Sequence, residues 1–569
     1  MTIERIKRYV TPGRLSLLIA GLFLTWFIIA FLVYPNLNLL KSVFWANGSF
    51  SIEPFQKLLH SKRALKGLLN SFILAVSMVI TVNIVGIFLV FVTDYFDIKG
   101  SKLLRIGYYT TLVYSGIVLV SGYKFLYGEQ GFITKFLLLL FPSFPADWFH
   151  GYWAVLFVMT FACTSNHVLF LSNAIRKIDY QTVEAARNMG ASPFYILRRV
   201  VLPVLQPSLF AITILLFLTG LGATSAPLIV GGTEFQTITP LILAFSKSPT
   251  SRDMASVLAI ILGVATLILL TFLRKAEKKG NFISVSKVKS EIVKQKITNK
   301  WLNTLVHVVA YLLFIIYTVP ILLTVIFSFT DAYSISTSTL SWDHFTVSNY
   351  KLLFTNADAY QPYLISIVYA AGAAVIVVTL SLLVSRILHK YSNLFTTALE
   401  YAMLIPWLLP STLIALGLIL TYDSPKWIMA NQVLTGSMWI LMIAYIIVLI
   451  PFTLRMLKAA FFSIDASLED AGRSLGASAF YTFRRVLLPI VLPSTLAVLA
   501  LNFNSQLADY DLTVFLYHPL FKPLGIAIQN ATSGQTSSDT RALGLVYSVM
   551  LMVISSVALY LVYGRKSKA

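Results

Sequence analysis

The sequence predicts an all-α integral membrane protein with about twelve transmembrane helices, arranged as two parallel halves of six helices each. Three observations predict this fold: the composition, the number of long apolar runs, and a polar loop that occurs twice. Of the 569 residues, 57% are hydrophobic and 12% are charged, whereas soluble domains contain about 45–50% apolar and about 25% charged residues. The composition therefore favours a chain surrounded by lipid.

The apolar runs give the number of spans. A helix needs about 20 mostly apolar residues to cross a bilayer, and six such runs precede residue 275 while six follow residue 300. They are residues 15–35, 69–93, 105–126, 152–175, 204–230, 254–273, 302–328, 363–387, 396–421, 436–457, 491–516 and 542–563. We predict a first domain at 1–273 and a second at 301–569, joined by a basic cytoplasmic linker at 274–300. The alternative for the linker is an amphipathic segment held on anionic lipid.

The cations indicate the orientation of the spans. The formal net charge is +21, and the Lys and Arg residues collect in the loops that follow the even-numbered spans. By the positive-inside rule both termini are then cytoplasmic, in a bacterial cell membrane. The charge predicts no nucleic-acid partner, because no basic stretch belongs to a soluble fold. The single cysteine, Cys163, allows no internal disulfide.

A polar loop is repeated. Residues 178–208 align without a gap to residues 464–494, at a separation of 286 residues, and about half of the positions are identical. The identical positions include Gly190 and Gly476, and also Pro203 and Pro489. Because the stretch is polar, apolar composition does not explain the similarity. The repeat indicates a duplication, and six spans per half make the two copies parallel.

Each copy of the loop contains the signals of a short helix. Asp179 and Asp465 are predicted to cap it, and Gly190 and Gly476 are predicted to end it in the left-handed conformation. Ser192-Pro193 then predicts a second short helix. One face of the first helix carries Thr182, Ala185 and Met189, with Leu468, Ala471 and Leu475 in the second copy. This shape suits docking to a partner, and the alternative is a helix pair lying on lipid headgroups.

These residues resemble the hallmark loop of the permease subunits of bacterial binding-protein-dependent ABC importers. Its pattern is E-A-A, three residues, G, about nine residues, and an apolar stretch ending in L-P. The first copy matches with Glu184, Ala185, Ala186, Gly190 and Leu202-Pro203. The second copy has Asp470, Ala471, Gly472, Gly476 and Leu488-Pro489, and so departs at two of the first three positions. The resemblance implies two consecutive type I permease domains with coupling loops at 178–203 and 464–489.

In that family the loop helix is the coupling helix, which inserts into a cleft of a separate ATPase. The resemblance therefore implies two copies of a cytoplasmic ABC ATPase as partners, contacted by Glu184 and Asp470, and an extracytoplasmic substrate-binding protein. The sequence has no G-x-x-x-x-G-K-[ST] loop, so we expect no enzyme activity and no cofactor in this chain. ATP and Mg²⁺ are expected in the partner ATPase. Gly472 costs a helix about 1 kcal/mol relative to alanine, and we expect the second coupling helix to be the weaker one.

A fused twelve-span permease most resembles the ferric-iron branch of the family, which is close to thiamine, 2-aminoethylphosphonate, polyamine and sulfate permeases. Iron(III) is accordingly the expected substrate, with thiamine, 2-aminoethylphosphonate or a polyamine as alternatives. Residues 36–67 and 331–362 form the longest polar outside segments. They are candidates for the surface that receives the binding protein, and the alternative is that they only connect helices.

Polar residues at membrane depth usually face a cavity or a bundle interior. Span 11 is the most polar, and its candidates for the translocation path are Asn502, Asn504, Asp509 and Asp511. The two carboxylates could offer oxygen ligands to a hard cation such as iron(III). The alternative is that they are hydrated or cap a helix at the outer end. No metal site is predicted, and we expect Ser165, Asn166 and His167 of span 4 to bond neighbouring helices.

Two other classes of protein remain as alternatives. An ion-coupled secondary transporter of twelve spans would need a functional charge in the middle of the membrane and would not need a repeated docking loop. A membrane enzyme would need a clustered catalytic set, and the sequence has neither metal-ligand spacing nor a nucleophile–base pair. Both alternatives fit the repeat less well than a permease does.

Overall fold

The computed structural model describes residues 12–46, 49–113, 116–175, 178, 180–279, 294–465, 467–532 and 537–563. Within these residues helices joined by loops form the structure, and the strands are one two-residue pair, Trp45–Ala46 with Ser49–Phe50. Most of the predicted linker, residues 280–293, lies outside the described residues, as do both ends of the chain.

Ten continuous helices within the described residues are long and apolar enough to cross a membrane. Spans 1, 2, 4, 5 and 6 are Gly21–Phe44, Lys62–Tyr95, Gly151–Leu171, Pro193–Leu221 and Arg252–Leu273. Spans 7, 8, 10, 11 and 12 are Lys300–Ser328, Ala357–Lys390, Met438–Phe462, Phe480–Leu507 and Asp539–Ala558. The predicted fold of about twelve helices in two parallel sets is confirmed.

The third helix of each half is broken. Span 3 consists of Ser101–Thr111 and Gly116–Leu140, which are bent by 108°. Span 9 consists of Leu394–Leu408 and Ser411–Tyr422, bent by 105°. In span 9 the break contains Pro410, which has no amide proton to continue the helix. The sequence predicts one span at each place without a break, because an apolar run alone does not show where a helix bends.

Shorter helices connect the spans. Those of the first half are Glu53–His60, Tyr180–Asn188, Ser225–Val230 and Ile238–Ser246. Those of the second half are Ala332–Thr337, Ser348–Thr355, Ser467–Ser474, Thr513–Leu516 and Leu524–Thr532. We call the side of the membrane that carries Tyr180–Asn188 and Ser467–Ser474 the coupling side, and the opposite side the distal side.

The first span of each half packs against the other half. Span 1 contributes Leu24, Phe27 and Phe31 to a buried cluster whose other members belong to spans 8, 9, 10 and 11 and the segment that follows span 11. Span 7 contributes Leu313 and Tyr317 to a cluster that is built largely from spans 2, 3, 4 and 5. Each half therefore completes its own bundle with a helix from its partner half.

Spans 1 and 7, which each pack in the other half, are the exchanged spans, and a tyrosine hydroxyl bonds to each of them. The Tyr422 hydroxyl of span 9 donates to the carbonyl oxygen of Ala30 in span 1. The Tyr123 hydroxyl of span 3 donates to the carbonyl oxygen of Ile316 in span 7 at 3.3 Å. Ala30 and Ile316 are 286 residues apart, the same separation as the two coupling loops. The duplication therefore extends to the acceptor positions, whereas the donors Tyr123 and Tyr422 are 299 residues apart.

The segments after spans 5 and 11 turn back on the distal side in the same way. Ser71 of span 2 accepts the amide proton of Ile238 at 2.7 Å, and Ser366 of span 8 accepts that of Leu524 at 2.7 Å. Each serine satisfies one of the free amide groups at a helix N-terminus. Arginines at the start of spans 6 and 12 then reach across to the other half. Arg252 pairs with Asp423 at 2.7 Å, and Arg541 donates to Gln130 at 2.5 Å.

Removing one tyrosine hydroxyl tests the exchange of first helices. Tyr422 is fully buried, so Tyr422→Phe leaves the carbonyl of Ala30 without its side-chain donor and should destabilise the fold by about 1–2 kcal/mol. The measurement is the apparent Tm of the purified chain in detergent. Tyr401→Phe is the matched control, because Tyr401 is 71% exposed. Equal Tm values for the two variants would contradict the assigned role of Tyr422.

Candidate functional site

The first coupling helix is Tyr180–Asn188. Gly190 follows it with φ +83°, in the left-handed region predicted for this glycine. Ser192 then accepts the amide proton of Tyr195 at 3.3 Å, with Pro193 at the first position of the next helix. These predictions are confirmed, whereas Asp179, the predicted cap of the first helix, lies outside the described residues.

The second coupling helix is Ser467–Ser474. Asp465 accepts the amide proton of Ser467 at 2.9 Å, which confirms the predicted cap. Gly476 has φ +78°. Gly472 lies inside the helix, and a Cβ there would be 3.0 Å from the Thr482 hydroxyl. The glycine that weakens the helix therefore also permits its close contact with the following turn.

The second short helix of each loop is not separate from the next span. The helices Pro193–Ile196 and Ala479–Thr482 continue through π-helical turns, Leu197–Val201 and Phe483–Leu487, into spans 5 and 11. Each turn precedes a proline, Pro203 or Pro489, that lacks an amide proton, and the wider turn accommodates the missing hydrogen bond. The sequence predicts that the helix after Ser192-Pro193 ends with Arg198-Arg199 and that Pro203 begins the next span. This prediction was wrong, because the helix continues through the π-helical turn into span 5.

Both coupling loops expose equivalent apolar side chains on the coupling side. Met189 is 82% exposed and its counterpart Leu475 is 87% exposed. The other large exposed residues are the pairs Phe194 with Phe480 and Tyr195 with Tyr481. Glu184 and Asp470 are exposed beside them. An apolar patch with an acidic residue, repeated at matching positions, is the kind of surface that binds a protein partner.

The inner faces of the two coupling helices are held differently. In the first helix Val183 and Ala186 are buried in the core of the first half. The position equivalent to Val183 is Glu469. The Glu469 carboxylate accepts two hydrogen bonds from Arg386 at the end of span 8, one of them at 2.8 Å, and lies 3.5 Å from Nδ1 of His389. The hydrogen bonds from Arg386 hold the pKa of Glu469 below its ordinary value of 4.5.

An arginine common to both coupling helices also has different partners. The Arg187 guanidinium donates to the side-chain carbonyl of Gln295, which belongs to the linker. Its counterpart Arg473 has a side chain 74% exposed, at 3.8 Å from Asp470 on the same helix. The sequence shows the arginine at both positions but contains no signal that a linker residue meets only one of them.

The polar candidates in span 11 and just after it have different surroundings. Asn502 is buried and donates to the Thr453 hydroxyl of span 10 at 2.8 Å. Asp509 caps the helix Thr513–Leu516, accepting the amide proton and hydroxyl of Thr513 at 3.0 and 2.9 Å. The side-chain carbonyl of Asn504 is buried, and the described residues provide it with no hydrogen-bond partner.

Asp511 lies at the junction of the two halves. The Ser225 hydroxyl donates to the Asp511 carboxylate at 2.6 Å. Ser225 and Asp511 are 286 residues apart, so they are equivalent positions of the duplication. Two equivalent positions that touch must lie close to the pseudo-two-fold axis, and here they do so at the distal ends of spans 5 and 11. The sequence pointed to Asp511 but not to its partner Ser225.

Other predicted residues stabilise helix packing. Nε2 of His167 lies 3.0 Å from the Asn83 side-chain oxygen of span 2, as expected for a span-to-span contact. Glu400, which the sequence places near the inner end of span 9 and predicts to be interfacial, forms an ion pair with Lys458 of span 10. No cluster of three or more His, Cys, Asp or Glu residues suited to a metal ion occurs within the described part of the chain.

The Glu469 contact gives a prediction with a defined pH dependence. A depressed carboxylate pKa stabilises the fold above the unfolded value of about 4.5 and ceases to do so as the pH falls through the folded value. At pH 7, Glu469→Gln should raise about tenfold the fraction of molecules in which the second coupling helix is detached from span 8. The reason is the loss of the charge-assisted hydrogen bonds from Arg386. A spin label at Leu475→Cys in a Cys163→Ser background measures helix mobility. The difference from the Glu469 protein should vanish well below pH 4.5.

A label at Met189→Cys is the matched control, because the first coupling helix has Val183 at the equivalent position. Glu469→Gln should leave the mobility of that label unchanged at every pH. Equal mobility at position 475 in the two proteins at pH 7 would show that the Arg386 contact does not hold the helix.

Comparison with known proteins agrees with this geometry. Residues 59–275 and 378–565 each match the family described as binding-protein-dependent transport system inner membrane component. A probable ABC transporter permease protein of Sinorhizobium fredii is 38% identical over 94% of this chain and 93% of its own length. The ferric transport system permease protein of Actinobacillus pleuropneumoniae is 22% identical over 92% of this chain and 75% of its own.

A further relative matches one half of the chain. A protein named as a 2-aminoethylphosphonate transport system permease of Salmonella typhi is 25% identical over 40% of this chain and 88% of its own length. The match of the family to both halves and the high coverage of the Sinorhizobium fredii protein exclude the secondary-transporter and enzyme alternatives. The chain belongs to the binding-protein-dependent transport system inner membrane components, as a multi-pass ABC permease with two copies of the family domain.

Proposed function

We propose that this chain is the membrane component of an ATP-driven importer, forming the translocation path for a small substrate delivered by an extracytoplasmic binding protein. The coupling side is cytoplasmic in this proposal, and both termini lie on that side. The observation that carries the proposal is the pair of equivalent exposed surfaces around Met189 and Leu475. One chain with two such surfaces serves two copies of an ABC ATPase.

ATP and Mg²⁺ bind to the ATPase subunits and not to this chain. The ATPase subunits close on ATP and draw the two coupling helices together. A tight glycine turn and a π-helical turn join each coupling helix to span 5 or span 11. A rigid connection of this kind transmits movement of the helix to the ends of the spans that surround the pseudo-two-fold axis. Glu184 and Asp470 provide the acidic contacts to the ATPase.

Asp511 and Ser225 close the distal end of the path in this proposal. Their hydrogen bond joins the halves close to the axis, so a substrate entering from the distal side must separate them. Asp511 and the unpartnered side-chain oxygen of Asn504 are then available to the substrate, with Asp509 positioned next to them in the chain. Asn502 holds span 11 against span 10 beside the path, through its hydrogen bond to Thr453.

Iron(III) is the proposed substrate. It is supported by the match to the ferric permease over 92% of this chain and by the carboxylates at the distal end of span 11, because oxygen ligands suit a hard cation. Thiamine, 2-aminoethylphosphonate and polyamines are the alternatives. The match to the Salmonella typhi protein over 40% of this chain supports 2-aminoethylphosphonate as one of these alternatives.

Reversing the acidic charges tests the docking surfaces. Glu184→Lys together with Asp470→Lys should reduce binding of the ATPase at least about tenfold, since each acid is replaced by a cation at the contact. Binding is measured with the purified permease and the ATPase encoded with it, by pull-down and by ATP hydrolysis in the assembled complex. Unchanged binding and hydrolysis would rule out the coupling role.

Asp343→Lys is the matched control for the charge reversal. Asp343 is exposed in the loop between spans 7 and 8, on the distal side. Its variant should bind the ATPase as tightly as the unaltered chain, because the ATPase docks on the opposite side. Weakened binding in this control would show that any added cation disturbs assembly.

Uptake by cells that lack this chain tests the substrate. We expect uptake of iron(III) to fall to background and to recover when the chain is restored, with thiamine, 2-aminoethylphosphonate and spermidine uptake unchanged. The measurement is accumulation of each labelled compound at low external concentration. Normal iron(III) uptake alongside a defect for another compound would replace the substrate but leave the transporter class intact.

A further inference from the structure

The end of the linker is bonded to the first half of the chain. Gln295 forms a parallel bridge with the segment between spans 2 and 3. Its amide donates to the carbonyl of Tyr95 at 2.8 Å, and its carbonyl accepts the amide proton of Asp97 at 2.9 Å. Next to it, Lys294 donates to the Ser101 hydroxyl at 2.8 Å. The backbone of the linker is therefore fixed here before span 7 begins at Lys300.

The fixed backbone brings the Gln295 side chain to the first coupling helix. Gln295 is 6% exposed, and its side-chain carbonyl accepts a hydrogen bond from the Arg187 guanidinium. Ile297, two residues further on, packs against the core cluster that also contains Val183 and Ala186. The first coupling helix therefore bonds directly to the linker through Gln295, and the linker also packs on the core cluster that buries this helix.

The second coupling helix uses a different arrangement. Arg473, the counterpart of Arg187, is largely exposed and lies 3.8 Å from Asp470 of its own helix. The helix is held instead by Glu469, which bonds to Arg386 of span 8 in the same half. One coupling helix is thus attached to a transmembrane span, and the other is attached to the segment that connects the two halves.

We infer that Gln295 is a positioning residue for the first coupling helix and that the linker segment 294–297 acts as a strap across it. Because this segment leads directly into span 7, which packs within the first half, the strap links the position of the helix to the exchanged span. The inference rests on the proposed function, since the helix is positioned for docking to an ATPase. At one docking site Arg187 is bonded to the linker, whereas at the other Arg473 lies 3.8 Å from Asp470 of its own helix.

Hydrogen–deuterium exchange of the purified chain tests the strap without any partner. Gln295→Leu removes the acceptor, and amide exchange in residues 180–189 should become about threefold to tenfold faster, as expected for one lost hydrogen bond to a charged group. Exchange in residues 467–474 should not change. Gln295→Glu keeps an acceptor for Arg187 and should restore the slow exchange.

Two matched variants separate the strap from general effects. Lys296→Ala changes an exposed neighbour on the same segment and should leave residues 180–189 unaffected. Arg187→Ala should accelerate exchange as much as Gln295→Leu, and the double variant should show no further increase, because both changes remove the same bond. Additive effects, or no effect of Gln295→Leu, would overturn the inference.

The functional readout is ATP hydrolysis by the complex assembled with its ATPase in proteoliposomes. Gln295→Leu should lower the apparent affinity for the ATPase about threefold to tenfold, and Gln295→Glu should restore it, with the amount of folded permease unchanged. If the unaltered permease binds no ATPase, the proposed function fails while the exchange result stands. If the unaltered permease binds the ATPase normally, and the Gln295→Leu variant has the same amide exchange rates and the same affinity for the ATPase, only the strap is overturned.

Discussion

The fold depends on the exchange of the first spans. Span 1 fills the bundle of the second half and span 7 fills that of the first, each secured by a buried tyrosine that donates to a helix carbonyl. In the apolar interior an unsatisfied polar group is costly, so each tyrosine fixes the depth and rotation of the exchanged helix. Neither half buries its core alone, and the linker therefore joins two bundles that already interlock.

The interlocking limits how the halves can move. On the distal side they are joined at the axis by Ser225 and Asp511, and at the periphery by Arg252 with Asp423 and by Arg541 with Gln130. The peripheral contacts are exposed or partly exposed, and such pairs contribute little free energy. The axial contact is more enclosed and joins two equivalent positions. Separation of the halves on this side is therefore controlled mainly at the axis, where a substrate would enter.

The number of spans, the parallel duplication and the coupling-loop turns were predictable because each depends on local sequence. Gly190 and Gly476 take the left-handed conformation whatever surrounds them, and Asp465 caps the residues next to it. The breaks in spans 3 and 9 and the exchange of first spans were not predictable. They depend on how apolar helices pack against one another, and apolar runs of similar composition do not encode which neighbour each helix selects.

Partners distant in the sequence account for the rest of the site. Glu469 is adjacent to Asp470 in the sequence, and nothing local indicates that Arg386, 83 residues earlier, will bond it.

The contact changes the expectation drawn from Gly472. The glycine weakens the second coupling helix by about 1 kcal/mol, but Glu469 anchors that helix to span 8, and the absent Cβ allows close approach to Thr482. In the first loop the positions equivalent to Gly472 and Thr482 are Ala186 and Ile196, which are buried in the apolar core instead. The second helix is therefore attached to span 8 by an ion pair, whereas the first combines apolar packing with the hydrogen bond from Arg187 to Gln295. Salt and pH act more strongly on the second docking site, because screening and protonation weaken a carboxylate–guanidinium pair, whereas the partner of Arg187 at the first site is an uncharged amide.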